Sequence, residues 1–262
     1  MKLIFIEGIT GVGKSTFAAK LQEALKNKGY SVDCYFENQD FVNNPINLMW
    51  HAYLTKDEYN VILEKYSDNS GEIIKNSICK NDYVLVRYKE RYEDSYYSAE
   101  LSEYLSTKEV SYKPPNPVPY DIFKRVSLDR WYDFINSDAV KHEYVIFDAI
   151  LLQNKINDML FNYSATEDDV VEYFKPVLQI IQPYNPVVFY MESQDLRERM
   201  RKIWIDRSGG KYEPDEEVYG FWEKRKHLDL HALDKLPIDT FKIDITNGYG
   251  DWMLDFVLKN LF

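Results

Sequence analysis

Cysteine is nearly absent: Cys34 and Cys79 are the only two in 262 residues. With no C-x-x-C and no Cys/His cluster, a disulfide framework and a structural zinc site are both disfavoured, and a reducing compartment is the expectation. Histidine is also scarce. His51, His142, His227 and His231 show no metal spacing, and the pair four apart lacks an H-E-x-x-H pattern. No apolar run approaches the ~18 residues that span a bilayer. The first run, residues 3–6, is cut short by Glu7, so it is not expected to be a leader peptide. The expected location is therefore cytoplasmic, away from membranes. Positive charge is in deficit: 32 Lys and Arg against 43 Asp and Glu give a formal net charge of −11. Such a chain is a poor general binder of nucleic acid, so any anionic ligand needs a local cationic site built against the overall field. There is no internal repeat and no low-complexity tract.

Tyrosine is abundant (22 residues, within 16 % aromatics), which predicts an aromatic-rich core. Glycine is sparse at ten residues, yet three fall in the stretch GITGVGKS, at 8, 11 and 13. The spacing G-x-x-x-x-G-K-[ST] is that of a phosphate-binding loop. Residues 2–7 read as a buried strand, and Phe17, Ala18, Leu21, Ala24 and Leu25 recur at helical spacing after it, with Gly29 as a stop. Strand, glycine-rich turn, helix is the context such a loop requires. Thr10, Gly11, Val12, Gly13, Lys14, Ser15 and Thr16 are the predicted nucleotide-binding residues. Backbone N–H groups and the helix N-terminus would cradle phosphates, Lys14 would reach the β- and γ-phosphates, and Ser15 would hold Mg²⁺.

Residues 32–36 read as a second strand. After residue 143 strands at 144–148, 186–191 and 241–245 alternate with helices at 168–182, 194–206, 214–230 and 251–261. That alternation predicts an α/β chain with a parallel sheet covered on both faces. Between them, residues 40–140 read as a mainly helical insertion over the C-terminal edge of the sheet, where ligands bind in open α/β folds. Its helices are expected at 55–66, 71–80, 91–106 and 120–134, with a short strand at 83–86 and a proline-rich connection at 113–119. The whole chain, 1–262, is expected to form a single domain, with a lid at 193–215.

Asp148 ends a strand of four apolar or aromatic residues, the form of the second NTP-binding element, whose carboxylate orients Mg²⁺. Glu37 ends the second strand, where a carboxylate would take a proton from an attacking hydroxyl. Arg197, Arg199 and Arg201 fringe the apolar stripe of a helix and could close on a transferring phosphoryl group. Ion pairing with neighbouring carboxylates is the competing reading of the three. Ser208-Gly209-Gly210 would serve as the lid's hinge. Arg87, Arg91, Arg125 and Arg130 are candidates for contact with an anionic acceptor.

Together, residues 8–16, Asp148 and the arginine-bearing helix resemble the nucleoside and nucleotide kinases of the P-loop group, which include thymidylate kinase and deoxynucleoside kinases. Residues 146–154 and 180–186 look like those of a bacterial group of kinase-like P-loop proteins. The resemblance implies a three-layer αβα P-loop NTPase fold with a five-stranded parallel sheet, an arginine-bearing lid, and ATP with Mg²⁺ as phosphoryl donor. It also implies Glu37 as the base, and the spacing of Arg197 and Arg201 matches the lid helix in part. One departure is plain: those kinases place Arg directly after the third-strand carboxylate, and here Ala149 follows Asp148. The expected function is an ATP-dependent small-molecule kinase acting on a nucleoside, a nucleotide or another hydroxyl or phosphate acceptor. Its partners would be a nucleoside triphosphate and that acceptor, and a homodimer is compatible with it. The alternative is a regulatory P-loop ATPase or nucleotide switch acting on a protein. A GTPase would need N-K-x-D, which Asn154-Lys155-Ile156-Asn157 misses.

Overall fold

Strand β1 (Lys2–Gly8) is buried from Leu3 onward, so both its faces must be covered, as in a parallel sheet under helices. The computed structural model, which describes residues 1–37, 44–90, 94–111 and 114–262, shows how. With β2 (Val32–Tyr35), β6 (Tyr144–Asp148), β7 (Val187–Glu192) and β8 (Asp239–Asp244), β1 forms a five-stranded parallel sheet in the order β2-β6-β1-β7-β8. Alternate side chains divide between two helical layers. Ile4, Ile6, Ile146 and Phe189 pack with Phe17 and Leu21 of α1 (Lys14–Asn27), Met200 of α8 (Leu196–Arg207) and Val257 of α10 (Trp252–Leu261). Leu3, Phe5, Phe147 and Tyr190 pack on the other side with α5 (Tyr120–Ile135), α6 (Gln153–Tyr163), α7 (Glu167–Ile181) and α9 (Glu216–Lys235). The result is the three-layer αβα P-loop fold, with β1 central and its C-terminal end feeding the glycine loop.

Much of the aromatic excess is core. Phe5, Phe147 and Tyr35 stack side by side across β1, β6 and β2, with centroids 5.3 Å apart, and Trp131 and Phe134 of α5 meet Phe147 edge-on.

The segment expected as a helical insertion holds helices and also a second sheet. Strands β3 (His51–Thr55), β4 (Ser77–Cys79) and β5 (Tyr83–Arg87) run antiparallel in the order β3-β5-β4. Ala52, Leu54, Val84 and Val86 face Tyr59 and Ile62 of α2 (Lys56–Lys65), Ile73 of α3 (Ser70–Lys75), and Leu101 and Leu105 of α4 (Ala99–Ser106). Helix α2 starts as foreseen, with a capping box between Thr55 and Glu58. The helix expected over 71–80 is shorter, because Asn76 Nδ2 and Ser77 Oγ donate to the Glu72 and Ile73 carbonyls and close its last turn. The chain then enters β4. The helix expected from 91 is limited to α4, where Ser98 caps Leu101 N–H; residues 91–93 lie outside the described residues. Helix α6 was not foreseen. Among the described residues no helix is long and apolar enough to cross a membrane.

Candidate functional site

The phosphate loop runs from β1 into α1 and depends on its glycines. Gly8, Gly11 and Gly13 have φ of 139°, 85° and 77°, conformations that disfavour any side chain. A Cβ on Gly8 would collide with the Met191 carbonyl of β7, and one on Gly11 would collide with Ile203 of α8. Helix α8 therefore rests directly on the loop. Lys14 is buried, and its Nζ donates to the Ile9 carbonyl at 2.8 Å. Burial pulls its pKa down, opposed by the nearby carboxylates of Glu37, Asp148 and Glu7.

Asp148, at the end of β6, has no solvent exposure, and neither carboxylate oxygen has a hydrogen-bond partner. Burial raises its pKa, while Ser15, Lys14 and the Glu37 backbone lie near enough to oppose that rise without reaching its oxygens in bonding geometry. An unpartnered buried carboxylate is costly unless something charged completes it. A carboxylate beside a serine hydroxyl is the oxygen donor set that Mg²⁺ takes when phosphates and water fill its other positions. The residues fit that ion. Among the described residues no group of three or more His, Cys, Asp and Glu forms a self-sufficient metal cage.

Glu37 is held by Gln153, whose Nε2 donates to Glu37 Oε1 at 2.6 Å. Burial raises the Glu37 pKa, with Lys14 the strongest opposing charge. Gln153 opens α6, and that helix is positioned from outside itself. Its N-terminus has no side-chain cap of its own. Instead the buried carboxylate of Glu7, on β1 just before the loop, accepts from the N–H groups of Leu151, Leu152 and Gln153 at 2.8, 3.1 and 3.4 Å. The N-cap and first-residue donors of the helix, with that of Leu151 just before it, are thereby met by a residue over 140 positions earlier. On the other side Arg225 of α9 donates to the Gln153 carbonyl and to Asn157 Oδ1, both at 2.9 Å. Arg225 is itself paired with Asp229 at 2.6 Å, and Tyr190 OH donates to Asp229 at 3.0 Å. Burial raises the Glu7 pKa, and the Asp229 charge adds to the effect.

Lys14, Ser15, Glu37, Gln153 and Asn157 border one cavity of about 520 Å³, whereas Glu7, Asp148 and Arg225 do not line it. Thr10, Gly11, Gly13, Lys14, Ser15 and Thr16 form part of its wall, with Glu37, the 44–49 segment, the α6 face carrying Gln153, Asn154, Asn157, Asp158 and Phe161, and Trp204, Arg207 and Trp222. Val12 is buried in the core beside the loop. Arg197, Arg199 and Arg201 do not border the cavity. Arg197 pairs with Glu216 and Glu223, and Arg201 with Glu213. Arg199 binds Ser193, Asp195 and the carbonyls of Ile245 and Thr246. The ion-pair reading describes their placement. Six residues beyond Arg201, at the end of α8, Arg207 reaches the cavity and has no acidic partner among the described residues. Arg87 bonds Asn76 and stacks on Tyr96, Arg125 pairs with Asp82, and Arg130 pairs with Asp133; none borders the cavity. Arg91 lies outside the described residues.

Sequence reasoning thus missed Glu7, Gln153, Asn157, Arg207 and Arg225. A charge in an otherwise apolar strand just before the glycines was the available signal for Glu7. For the others the signal is only spatial.

Fold and loop define a P-loop α/β protein. No family model matches the chain, and no curated protein does. Solved structures similar to it include the Bacillus subtilis YorR protein in complex with phosphorylated GDP (13 % identity, 99 % of this chain and 95 % of that one, TM-score 0.44). Others are thymidylate kinase from Ehrlichia chaffeensis (15 %, 100 % and 98 %, 0.44) and deoxyadenosine kinase from M. mycoides with bound dATP (16 %, 100 % and 99 %, 0.42).

Proposed function

We propose that this chain is an ATP-dependent small-molecule kinase that transfers the γ-phosphoryl group to an acceptor hydroxyl. The observation that carries the reading is the placement of Glu37, a carboxylate fixed by Gln153, in the same cavity as Lys14 and Ser15 of the phosphate loop. A phosphate loop alone serves switches and motors equally well. A positioned carboxylate facing it serves a second substrate.

Lys14 and the loop N–H groups hold the β- and γ-phosphates, replacing the Ile9 carbonyl as the lysine's partner. Ser15, with Asp148 beside it, would hold Mg²⁺, and that ion would supply charge neutralisation to the phosphates. Glu37 accepts the proton of the acceptor hydroxyl as that oxygen bonds to the γ-phosphorus. The bridging P–O bond breaks, and its electron pair leaves with ADP. Arg207, unpaired at the cavity edge, offsets the charge of the transferring group.

Lys14→Ala should lower ADP release from Mg-ATP by about 10²-fold or more, with an unchanged circular dichroism spectrum. Wild-type turnover in that variant would remove the loop from the mechanism. ADP release that no small molecule stimulates, but a protein partner does, would favour the regulatory ATPase.

A further inference from the structure

Behind the cavity lies a group of buried charges, Glu7, Arg225 and Asp229, that takes part in no step of the transfer. We infer that Arg225 and Glu7 are positioning residues for that transfer: together they clamp the start of α6 and so aim the Gln153 amide at Glu37. The inference rests on the phosphotransfer reading above and adds residues that act on its base without touching a substrate.

Glu37 takes its hydrogen bond from Gln153, and Gln153 is the first residue of α6. Whatever sets the start of that helix therefore sets the carboxylate. Local structure does not set it. Ala149 has a φ of 60°, the left-handed region that a residue with a Cβ seldom enters, and Leu152 offers the helix no side-chain cap. A strained turn of this kind persists where the surrounding contacts over-determine it. Glu7 and Arg225 are those contacts. Glu7 accepts from the N–H of Gln153 and of the two residues before it, and Arg225 Nη1 donates to the Gln153 carbonyl. The Gln153 backbone is thus gripped at both of its polar groups. The same Nη1 reaches Asn157 Oδ1, one turn on, which fixes the rotation of α6 about its axis.

Arg225 is held as firmly as it holds. Its Nε and Nη2 donate to the two oxygens of Asp229 at 2.6 and 2.9 Å, a forked pairing that fixes the guanidinium plane and leaves Nη1 for α6. Tyr190 of β7 anchors Asp229 in turn. Both charges of the pair are fully buried. Replacing a buried ion pair with apolar side chains of similar volume is often neutral for stability or improves it, because desolvation offsets the attraction. Folding alone therefore gives little reason for a charged pair at this place. A fixed donor aimed at α6 gives one.

Breaking the pair by Arg225→Met alone would strand a buried carboxylate, so the test removes the whole group. The variant Tyr190→Phe/Arg225→Met/Asp229→Leu fills a similar volume and leaves no charge of the pair behind. Its melting temperature should match or exceed that of the wild type. Its ADP release from Mg-ATP, with water as the acceptor, should fall about 10²-fold, the size of a misplacement of ~1 Å, at an unchanged KM for ATP. Glu7→Gln, which turns an N–H donor toward the helix start, should act in the same direction. In a Glu37→Gln background the triple change should lower turnover by less than about twofold further, since residues acting through one base share one effect. Wild-type turnover in the triple variant, a lowered melting temperature, or an undiminished further loss in the Glu37→Gln background each overturns the inference. Failure of the kinase reading shows separately, as wild-type turnover in Glu37→Gln alone.

Discussion

Two buried carboxylates, one in each sheet region, are treated in opposite ways. Glu109, beside the antiparallel sheet, has both oxygens satisfied: Trp50 N–H donates to one at 2.8 Å and Tyr88 OH to the other at 2.5 Å. Asp148, at the end of the parallel sheet, has neither. Burial raises the pKa of both, that of Glu109 to about 7. A carboxylate bonded on both sides acts as a fastener, joining β3 to the chain after α4. A carboxylate left bare next to a phosphate loop destabilises the fold, and the proposed function supplies the reason it is tolerated.

That contrast can be broken at several points. The largest effect is expected at neither of these but at a third carboxylate, Glu37. Glu37→Gln should lower kcat by about 10²–10⁴-fold and leave KM for ATP nearly unchanged. Because burial raises the Glu37 pKa, its base form is lost as pH falls through that raised value. The acid limb of kcat/KM should therefore lie above the ordinary glutamate range and vanish in Glu37→Gln. Asp148→Asn should cost on the order of 10³-fold in Mg-dependent turnover and yet raise the melting temperature, since it removes a buried carboxylate that no hydrogen bond satisfies. A fall in melting temperature would mean that Asp148, like Glu109, is structural.

Glu109 is tested through the pH dependence of stability. Its folded pKa of about 7 lies above its unfolded value of 4.5. Between those pH values the folded state binds the extra proton, so stability falls as pH rises and is level above. Relative to Glu109→Gln, the wild type should lose on the order of 3 kcal/mol across that window, measured by urea denaturation at successive pH values. The absence of a slope would show that the two hydrogen bonds fully offset desolvation. The smallest pair concerns helix α8. Arg207→Ala should lower kcat by about 10²-fold, whereas Arg197→Ala, paired and half-exposed, should change it less than about twofold. Equal effects would restore Arg197 to the site.

The half that carries the glycine loop was legible because its signals are local. Continuous apolar runs give β1, β6 and β7, and three glycines in six residues give the loop. The five-strand count came from resemblance, and the sheet has five. What escaped depends on partners distant in sequence. Helix α6 is rich in asparagine, a poor helix former, and its cap is Glu7 in another element. The run at 197–201 shows its cations, but not the carboxylates at 213, 216 and 223 that occupy two of them. Arg207 stands out only when those pairs are drawn. In the inserted block, β3 and β4 are three to five residues long, too short for period-two alternation to declare itself.

The strand order has a consequence for the growing chain. β1 emerges first, yet its neighbours are β6 and β7, and Lys2 meets Tyr144 only after about 140 further residues are made. At ribosomal speeds this is a wait of roughly 7–30 s, during which the apolar strand that carries the phosphate loop has no sheet to join. The small antiparallel sheet, whose strands all lie within residues 51–87, can pair in that interval. The later-read, harder-to-predict insertion is thus the part of the molecule able to fold first.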